Sequence, residues 1–268
     1  MVDASGDRWA VGNAYDRYMG RWSRLMAREF LGWLQQERGA HWLELGCGTG
    51  ALTSGICERC EPATIVACDQ SASFIEHARA SVVDARASFV VADATALPAR
   101  NEGFDVVVSG LVLNFIPDPV RALTLMRERV RAGGTVAAYV WDYLGGLEFL
   151  QHFWDEAKAL DSNAAPLDEA RRFSGWQLFE LRSHFAAANL GNVESTVLRV
   201  ETTFANFEDY WQPFLGGAGP APSYVATLTR QQRDALAERL RARLPFAPDG
   251  SLRLGARAFA LRAQRGLG

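Results

Sequence analysis

Lysine is almost absent from this sequence, and positive charge is in slight deficit overall. Lys158 is the single lysine among 28 basic residues, and the formal net charge is −3. Domains that bind a nucleic-acid backbone carry a clear positive excess. The arginines of the C-terminal part, from Arg230 to Arg265, are typical of the solvent face of a helix. We therefore expect no nucleic-acid partner.

Long apolar runs and a targeting signal are also missing. The longest apolar run, about Phe104 to Pro119, is interrupted by Ser109, Gly110 and Asn114. It falls short of the roughly 20 residues that a membrane span needs. The N-terminal MVDASGDRWAVG lacks the basic-then-apolar pattern of a secretory signal. The sequence therefore predicts a cytoplasmic protein without a membrane partner.

A set of metal ligands is the third absence. Four cysteines lie within 22 residues, and two of them form the C-x-x-C segment CERC. Zinc sites of this kind need a second ligand pair, and neither another C-x-x-C nor a histidine pair accompanies this one. We expect no metal, and free thiols at Cys47, Cys57, Cys60 and Cys68.

Strand-like apolar segments alternate with helical patterns from residue 41 onward. Near-continuous apolar strands separated by helices indicate a parallel sheet with both faces covered. The expected fold is α/β: a Rossmann-like, doubly wound, mostly parallel seven-stranded sheet, with helical insertions after strand five and between the last two strands. The predicted strands are 41–45, 64–69, 87–93, 104–110, 135–141, 193–204 and 256–264, the last at a sheet edge, and the first predicted helices are 51–59, 71–80 and 117–130.

The segment LELGCGTGALT, residues 43–53, places glycines at every second position after an apolar strand. Glycines permit a tight turn and let the backbone approach a ligand closely. The spacing of Gly46, Gly48 and Gly50 also satisfies the dinucleotide fingerprint. Asp69 lies 19 residues beyond Gly50, at the end of the second strand, where a carboxylate accepts hydrogen bonds from both hydroxyls of a ribose. These residues alone leave NAD and S-adenosylmethionine equally open.

Two further acids favour S-adenosylmethionine over NAD(P). Glu44 lies two residues before Gly46, where a carboxylate faces a pyrophosphate poorly but suits a ligand that carries an ammonium group and a sulfonium. Asp93 ends the third strand and, with the backbone N–H of Ala94, is placed to bind the amino edge of an adenine. Two structural alternatives stay open: Asp93 could cap the following turn, and Glu44 could belong to a buried ion pair.

Four segments resemble, in order and spacing, the consecutive motifs of class I S-adenosylmethionine-dependent methyltransferases: LELGCGTGALT, ACDQS, VVADATALP and FDVVVSGLVLNFIPD. The similarity is to the group that includes small-molecule and ubiquinone-type enzymes, and it covers about residues 40–141. It implies that the three glycines line the methionine and ribose portion, that Glu44 holds the methionine amino end, and that Asp69 binds the ribose. The other implied contacts are Gln70 beside the adenine, Asp93 and Ala94 on the adenine edge, and Ser109 beneath the methionine.

The resemblance extends upstream to NAYDRYMGRWSR, which is similar to the N-terminal helix and loop that such enzymes fold over the cofactor. Tyr15, Tyr18 and Arg21 are candidates to contact its carboxylate. Tyr15 and Arg21 are preferred, the latter through a bidentate pair. A helix that only covers the sheet edge is the alternative. The expected regions are a cap over the cofactor at 1–40, the cofactor-binding core at 41–141, a helical lid at 142–191, and C-terminal strands at 192–268 with an insertion at 205–250.

Methyl transfer from a sulfonium is an in-line displacement that yields S-adenosylhomocysteine. An enzyme must align the reacting atoms, exclude water and remove any proton that the nucleophile carries. His152, just after the fifth predicted strand, is the best placed of the four histidines, although a packing or surface role is the alternative. Asp142, at the exit of that strand, is a comparable candidate for the base. Asn114 could orient an acceptor but cannot act as a base.

Aromatic residues are concentrated in the predicted lid and the downstream insertion. Many will be core, but the surplus favours a small aromatic or lipophilic acceptor methylated at O, N, S or C. The motifs of nucleic-acid base methylation are absent from the sequence. We expect a monomer or homodimer. The alternatives are an S-adenosylmethionine-binding protein that transfers no methyl group and, less favoured, an NAD(P) oxidoreductase. The aromatic residues are Trp141, Tyr143, Phe149, Phe153, Trp154, Trp176, Phe207, Tyr210, Trp211 and Phe214.

Overall fold

The computed structural model describes residues 16–216 and 219–266 of the 268-residue chain. Tyr15 lies outside the described residues. The chain divides into two compact units, which we call the helical unit and the sheet unit. The helical unit comprises the described parts of Met1–Trp22, Asp142–Ser174 and Arg199–Arg257, and the sheet unit those of Ser23–Trp141, Gly175–Leu198 and Ala258–Gly268.

Seven strands of the described residues form one sheet, which confirms the predicted Rossmann-like α/β fold. In chain order they are β1 His41–Leu45, β2 Thr64–Asp69, β3 Ala87–Val91, β4 Phe104–Gly110, β5 Val130–Trp141, β6 Gly191–Phe204 and β7 Leu252–Gln264. Their order in the sheet is β3-β2-β1-β4-β5-β7-β6. The first five strands pair in parallel, and β7 runs antiparallel to β5.

The prediction that the last strand lies at the sheet edge was wrong. β7 lies between β5 and β6, so that β6 forms the edge. The middle of β7, Ala258–Leu261, is buried without interruption, as is typical of a strand covered on both faces. In β6, buried positions are few and exposed ones recur along its length. Strand burial, rather than position in the sequence, therefore accounts for the interior place of β7.

The fifth strand also begins earlier than predicted. Gly133 and Gly134 lie between the predicted helix 117–130 and the predicted strand 135–141, but the structure places both inside β5, which starts at Val130. The pairing of β4 with β5 is irregular between Phe104 and Val106. A Cβ atom on Gly134 would lie 2.7 Å from the carbonyl oxygen of Asp105. This glycine therefore marks a close approach of two backbones within the sheet.

Helices connect the strands, and the side chains of Ser71 and Asp118 cap two of these helices at their N-termini. Ser71 Oγ accepts a hydrogen bond from Phe74 N at 3.4 Å, and Asp118 Oδ1 accepts one from Arg121 N at 2.8 Å. After a π-helical turn at Asp16–Gly20, the helices are α1 Arg21–Leu34, α2 Ala51–Arg59, α3 Ala72–Ser81, α4 Pro119–Arg129, α5 Glu148–Leu160, α6 Glu169–Arg172, α7 Leu178–Ala187, α8 Phe207–Trp211, α9 Pro220–Thr227 and α10 Arg230–Arg243.

The core of the helical unit is built from aromatic side chains that pack on one another. Phe153 stacks on Phe214 with ring centroids 4.5 Å apart, and Trp22 stacks on Phe149 at 5.0 Å. The buried hydroxyl of Tyr210 donates to the Phe149 carbonyl oxygen at 2.8 Å. Most of the aromatic surplus seen in the sequence is therefore used in packing.

Among the helices of residues 16–216 and 219–266, none has both the length and the apolarity that crossing a bilayer requires.

We expect Gly134→Ala to destabilise the sheet unit by about 1–3 kcal/mol, because the added methyl group forces β4 and β5 apart. Gly32→Ala is the matched control, since Gly32 lies in α1 with no heavy atom within 4 Å of an added Cβ. That substitution should stabilise the helix by about 0.5–1 kcal/mol. Urea unfolding of both variants measures the difference. Equal stabilities would contradict the close approach of the two strands.

Candidate functional site

The glycine loop follows β1 at the point where the strand order reverses. β1 pairs with β2 on one side and with β4 on the other. In open α/β sheets, ligands bind at this switch point, outside the carboxyl ends of the strands. The backbone N–H groups of Gly46 and Cys47 both donate to the Cys68 carbonyl oxygen, at 2.8 and 2.9 Å. The loop is therefore anchored to the end of the neighbouring strand.

All three glycines of the loop have positive φ angles. Gly46 and Gly48 differ in the space that surrounds them. Gly46 has φ +73°, and a Cβ there would lie 2.6 Å from the Val112 side chain. Gly48 has φ +51°, and no heavy atom lies within 4 Å of the position that a Cβ would take. Gly50, the third, has φ +89°. Gly46 thus permits internal packing, whereas Gly48 borders open space into which a ligand can approach the backbone.

Glu44 is a buried acid without a cation. Its side chain lies in β1 with 1% of the residue exposed, and its Oε2 accepts a hydrogen bond from Thr53 Oγ1 at 2.6 Å. Among the described residues it forms no salt bridge. Burial raises the pKa of Glu44 to about 7, the Thr53 bond opposes this, and the charge of Asp69 adds to it. A ligand that brings a positive charge would stabilise the ionised carboxylate.

Asp69 ties the loop to the end of β2. Its Oδ2 accepts a hydrogen bond from Gly48 N at 3.0 Å, and its Oδ1 accepts one from Ser71 N at 2.8 Å. Burial raises the pKa of Asp69, and the two backbone hydrogen bonds oppose that rise. A carboxylate held in this way retains lone pairs that can accept ribose hydroxyls.

The residues expected around the adenine lie after β2 and β3. Asp93 Oδ1 accepts hydrogen bonds from Thr95 N at 2.7 Å and from Thr95 Oγ1 at 2.5 Å, and these bonds lower its pKa. Asp93 therefore caps the turn that follows β3, the structural alternative noted from the sequence. Gln70 is exposed and Ala94 is half-buried. Adenine binding by these three residues stays a prediction.

Two buried polar side chains at the end of β4 have no hydrogen-bond partner in the described part of the chain. Ser109 is fully buried with its Oγ unpaired, and Asn114 is 8% exposed with both amide atoms unpaired. Each such group costs about 1–3 kcal/mol when nothing satisfies it. Ser109 lies near the carboxyl end of β4 and Asn114 follows that strand, and the glycine loop follows its partner strand β1. Unpaired groups in this place are typical of a site that a ligand completes.

Several candidate residues lie in the helical unit, where each has partners of its own. The Arg21 guanidinium forms a bidentate pair with Asp209, at 2.6 and 3.1 Å. Asp142 is 2% exposed and accepts a hydrogen bond from Arg257 Nε at 2.9 Å. Tyr18 is buried, with edge-on ring contacts to aromatic neighbours. Binding of the cofactor carboxylate by Arg21 would require it to exchange Asp209 for the ligand.

His152 lies in α5 and is half-buried. Burial and the nearby Arg243 lower its pKa, which keeps the imidazole neutral near pH 7. A neutral imidazole can accept a proton, so that His152 has the protonation state that a base needs. Its assignment as the base stays a prediction, as do those of Asp142 and Asn114.

The four cysteines are buried, free thiols. Burial is the main cause that raises the pKa of Cys57 to about 11 and that of Cys68 to about 12. The described residues contain no cluster of three or more metal-ligating side chains. These thiols are protonated and unreactive at neutral pH.

Two partners of the candidate residues were missed in the sequence. Thr53 lies three residues past the last glycine, in the first turn of α2, and this proximity to the strand end could have indicated a bond to Glu44. Arg257 is separated from Asp142 by 115 residues, and no local sequence pattern predicts that they form a pair. Long-range ion pairs of this kind depend on the tertiary fold.

The fold and the position of the glycine loop are those of a class of α/β domains that bind ligands at this edge of the sheet, and comparison with known proteins shows what the chain is similar to. Residues 43–138 match the family model described as a methyltransferase domain. The resemblance to class I S-adenosylmethionine-dependent methyltransferases is therefore confirmed for this part of the chain. S-adenosylmethionine is the cofactor of that family.

Two curated relatives are similar over part of the chain. A malonyl-[acyl-carrier protein] O-methyltransferase of Priestia megaterium is 26% identical over 53% of this chain and 54% of its own length. A trans-aconitate 2-methyltransferase of Deinococcus radiodurans is 31% identical over 42% of this chain and 43% of its own. The chain thus spans about half the length of the curated relatives it matches.

One solved structure with a similar fold is phosphoethanolamine N-methyltransferase 2 of Haemonchus contortus in complex with S-adenosyl-L-methionine. It has a TM-score of 0.58 and 15% sequence identity, and the match covers 94% of this chain and 56% of that chain. At this identity the likeness concerns the fold alone.

Replacement of Glu44 by glutamine should change how stability depends on pH. The folded protein holds a proton on Glu44 up to pH of about 7, whereas the unfolded chain releases it near the ordinary value of 4.5. The wild type should therefore lose stability between pH 4.5 and pH 7, by at most about 3 kcal/mol relative to Glu44→Gln. Glutamine keeps an acceptor for Thr53, and the acids that lie away from Glu44 titrate equally in both proteins.

Chemical unfolding at half-unit steps from pH 4.5 to pH 8, without ligand, measures this difference. Glu102→Gln, at an exposed acid, is the control and should follow the wild type. A constant stability difference between wild type and Glu44→Gln across the range would contradict a raised pKa for Glu44.

Proposed function

We propose that this protein transfers the methyl group of S-adenosylmethionine to a small organic acceptor. The observation that carries the proposal is the pair of buried acids at the glycine loop of the methyltransferase domain. Glu44 lacks a cation among the described residues, and Asp69 is fixed by Gly48 N and Ser71 N. A ligand that joins a ribose to an ammonium group would satisfy both acids, whereas a dinucleotide would bring a pyrophosphate toward Glu44.

The residues present fit the cofactor in their chemistry. Glu44 would accept from the ammonium group, directly or through water, and Asp69 from the ribose hydroxyls. Gly48 would let the loop backbone approach the ligand, and Ser109 would lie beneath the methionine portion with its backbone carbonyl available to the ammonium group. Tyr15 and Arg21 are proposed for the cofactor carboxylate, and Arg21 would reach it only after it releases Asp209.

The bound cofactor would supply an electrophilic methyl group, so that the protein needs no metal for this step. The task of the chain is to orient the acceptor, exclude water and receive a proton where the acceptor carries one. His152 is the proposed base because its imidazole is neutral near pH 7. Asp142 is the second candidate, although its pair with Arg257 must open first. The unpaired amide of Asn114 is proposed to orient the acceptor.

A small-molecule acceptor is supported by what two relatives act on. Their names give a malonyl group on a carrier protein and trans-aconitate. We propose an aromatic or lipophilic acceptor, as the composition of the lid favours. Packing of the aromatic rings on one another leaves fewer of them for an acceptor than the sequence alone suggests. The proposal includes a cytoplasmic location and a monomeric or homodimeric state.

Binding of the cofactor should depend on Asp69. We expect S-adenosylmethionine and S-adenosylhomocysteine to bind the wild type, and Asp69→Asn to weaken both by at least tenfold through lost charge-assisted hydrogen bonds. Glu102→Gln is the control with unchanged affinity. Isothermal titration with the two ligands and with NADH measures these affinities. Binding of NADH without binding of S-adenosylmethionine would overturn the proposal in favour of an oxidoreductase.

Transfer itself requires a separate assay. Incubation with methyl-labelled cofactor and a panel of phenols, amines, thiols and carboxylic acids should label one chemical class. Tight cofactor binding without label on any member would favour the alternative of a protein that binds S-adenosylmethionine and transfers no methyl group.

A further inference from the structure

A cavity of about 360 Å³ lies within the helical unit, and no residue of the glycine loop is among its lining residues. The loop after β5 and the helices α5 and α6 supply most of its walls, and the end of α10 supplies Arg243. His152, the proposed base, is one of its lining residues, and the acids of the cavity have no part in the proposed transfer. The lining residues are Tyr143, Leu144, Leu150, Gln151, His152, Trp154, Asp155, Lys158, Asp168, Glu169, Ala170 and Arg243.

Most charged groups in and beside this cavity compensate one another. Lys158 Nζ lies 2.8 Å from Asp168 and 3.6 Å from Asp155. Arg243 lies 3.6 Å from Asp155 and 3.4 Å from Glu156.

A third cation completes this network. Arg239 Nε lies 2.7 Å from Glu156 Oε2. Three cations therefore face three acids: Lys158, Arg239 and Arg243 against Asp155, Glu156 and Asp168. The network needs no further charge from a ligand.

Glu169 is the acid that this balance leaves over. It is 4% exposed, and within the described part of the chain no cation lies close enough to form a salt bridge with it. The indole N–H of Trp154 donates a hydrogen bond to its Oε2. Burial, with a smaller contribution from Asp168, raises the pKa of Glu169 to about 8, while its own backbone N–H, Trp154 and the charge of Arg172 act in the opposite direction.

A purely structural acceptor for Trp154 would not need a charge. A glutamine or a backbone carbonyl accepts an indole N–H equally well, whereas a buried carboxyl without a cation costs free energy once it ionises. Trp154 and Tyr143 also line this cavity, and aromatic rings attract organic cations. His152 also lines the cavity, but its lowered pKa keeps the imidazole neutral, so that it adds no positive charge near pH 7.

We propose that this cavity binds a small organic cation, an amine whose ammonium group pairs with Glu169 while its apolar part lies against Trp154 and Tyr143. One positive charge would neutralise Glu169, which has no counter-ion among the described residues. An anion would have to displace Asp155 or Asp168 from Lys158, and a neutral ligand would leave Glu169 uncompensated. Binding of the amine in this cavity would not depend on methyl transfer, because the proposed contacts involve no part of the cofactor.

Three probes of one shape and different charge test the proposal: benzylamine, benzyl alcohol and benzoate. We expect benzylamine to bind the wild type at least tenfold more tightly than either of the others. Its affinity should rise at least tenfold from pH 6.5 to pH 8.5, since the ammonium group pairs with the ionised form of Glu169. Isothermal titration in two buffers of different ionisation enthalpy should show release of a proton at pH 7.

Glu169→Gln separates the binding role from a structural one. The variant keeps an acceptor for Trp154, and we expect it to melt near the wild-type temperature while benzylamine affinity falls at least tenfold and proton release disappears. Glu238→Gln, at an exposed acid of α10, is the matched control and should bind as the wild type does. If Glu169→Gln lowers the melting temperature, the pH profile and proton release of the wild type still decide the matter.

Equal affinity for the three probes, or benzylamine binding without proton release, would overturn the proposal and leave Glu169 as a structural partner of Trp154. A cavity that selects cations could bind either the acceptor of the methyl group or a ligand that does not react. Incubation of benzylamine with methyl-labelled cofactor distinguishes these sources: label on the amine identifies an acceptor site, and binding without label identifies a separate ligand site. Failure of methyl transfer therefore does not affect the binding result.

Discussion

The hydrogen bond from Gly48 N to Asp69 Oδ2 is the contact on which the geometry of the candidate cofactor site depends. It fixes the glycine loop after β1 against the end of β2, together with the two N–H groups that share the Cys68 carbonyl oxygen. A side chain on residue 48 would be strained, because its φ is positive. The loop is thus shaped by internal contacts before any ligand arrives, as preorganised sites require.

Two buried acids that pair with no cation in the described part of the chain are the chemically distinctive groups of the two units. Glu44 lies in the sheet unit and Glu169 in the helical unit, and each receives one side-chain hydrogen bond from a neutral donor. Burial raises the pKa of Glu44 to about 7 and that of Glu169 to about 8. Both carboxyls are therefore near balance between their protonation states under physiological conditions. Each would be shifted toward the carboxylate by a cationic ligand.

Much of the sheet unit could be predicted from the sequence because local rules decide it. The bounds of β1, β2 and β4 and the caps at Ser71 and Asp118 follow from apolar runs and from capping chemistry. The interior place of β7 could not be predicted, because one strand, β6, and several helices separate it along the chain from its partner β5. The partners of Asp142 and Arg21 likewise depend on contacts across more than a hundred residues. The residues of the glycine loop could be recognised in the sequence. The cavity beside Glu169 could not, because it forms only where several helices pack together.

The most direct test of the account is a crystal structure of the protein with S-adenosylhomocysteine. We predict the ribose hydroxyls on Asp69 and the amino group within hydrogen-bond distance of Glu44, directly or through one water. The Gly48 N–H should still donate to Asp69. A nucleoside bound away from Asp69, or an amino group that faces no carboxylate while Glu44 contacts only Thr53, would contradict the account.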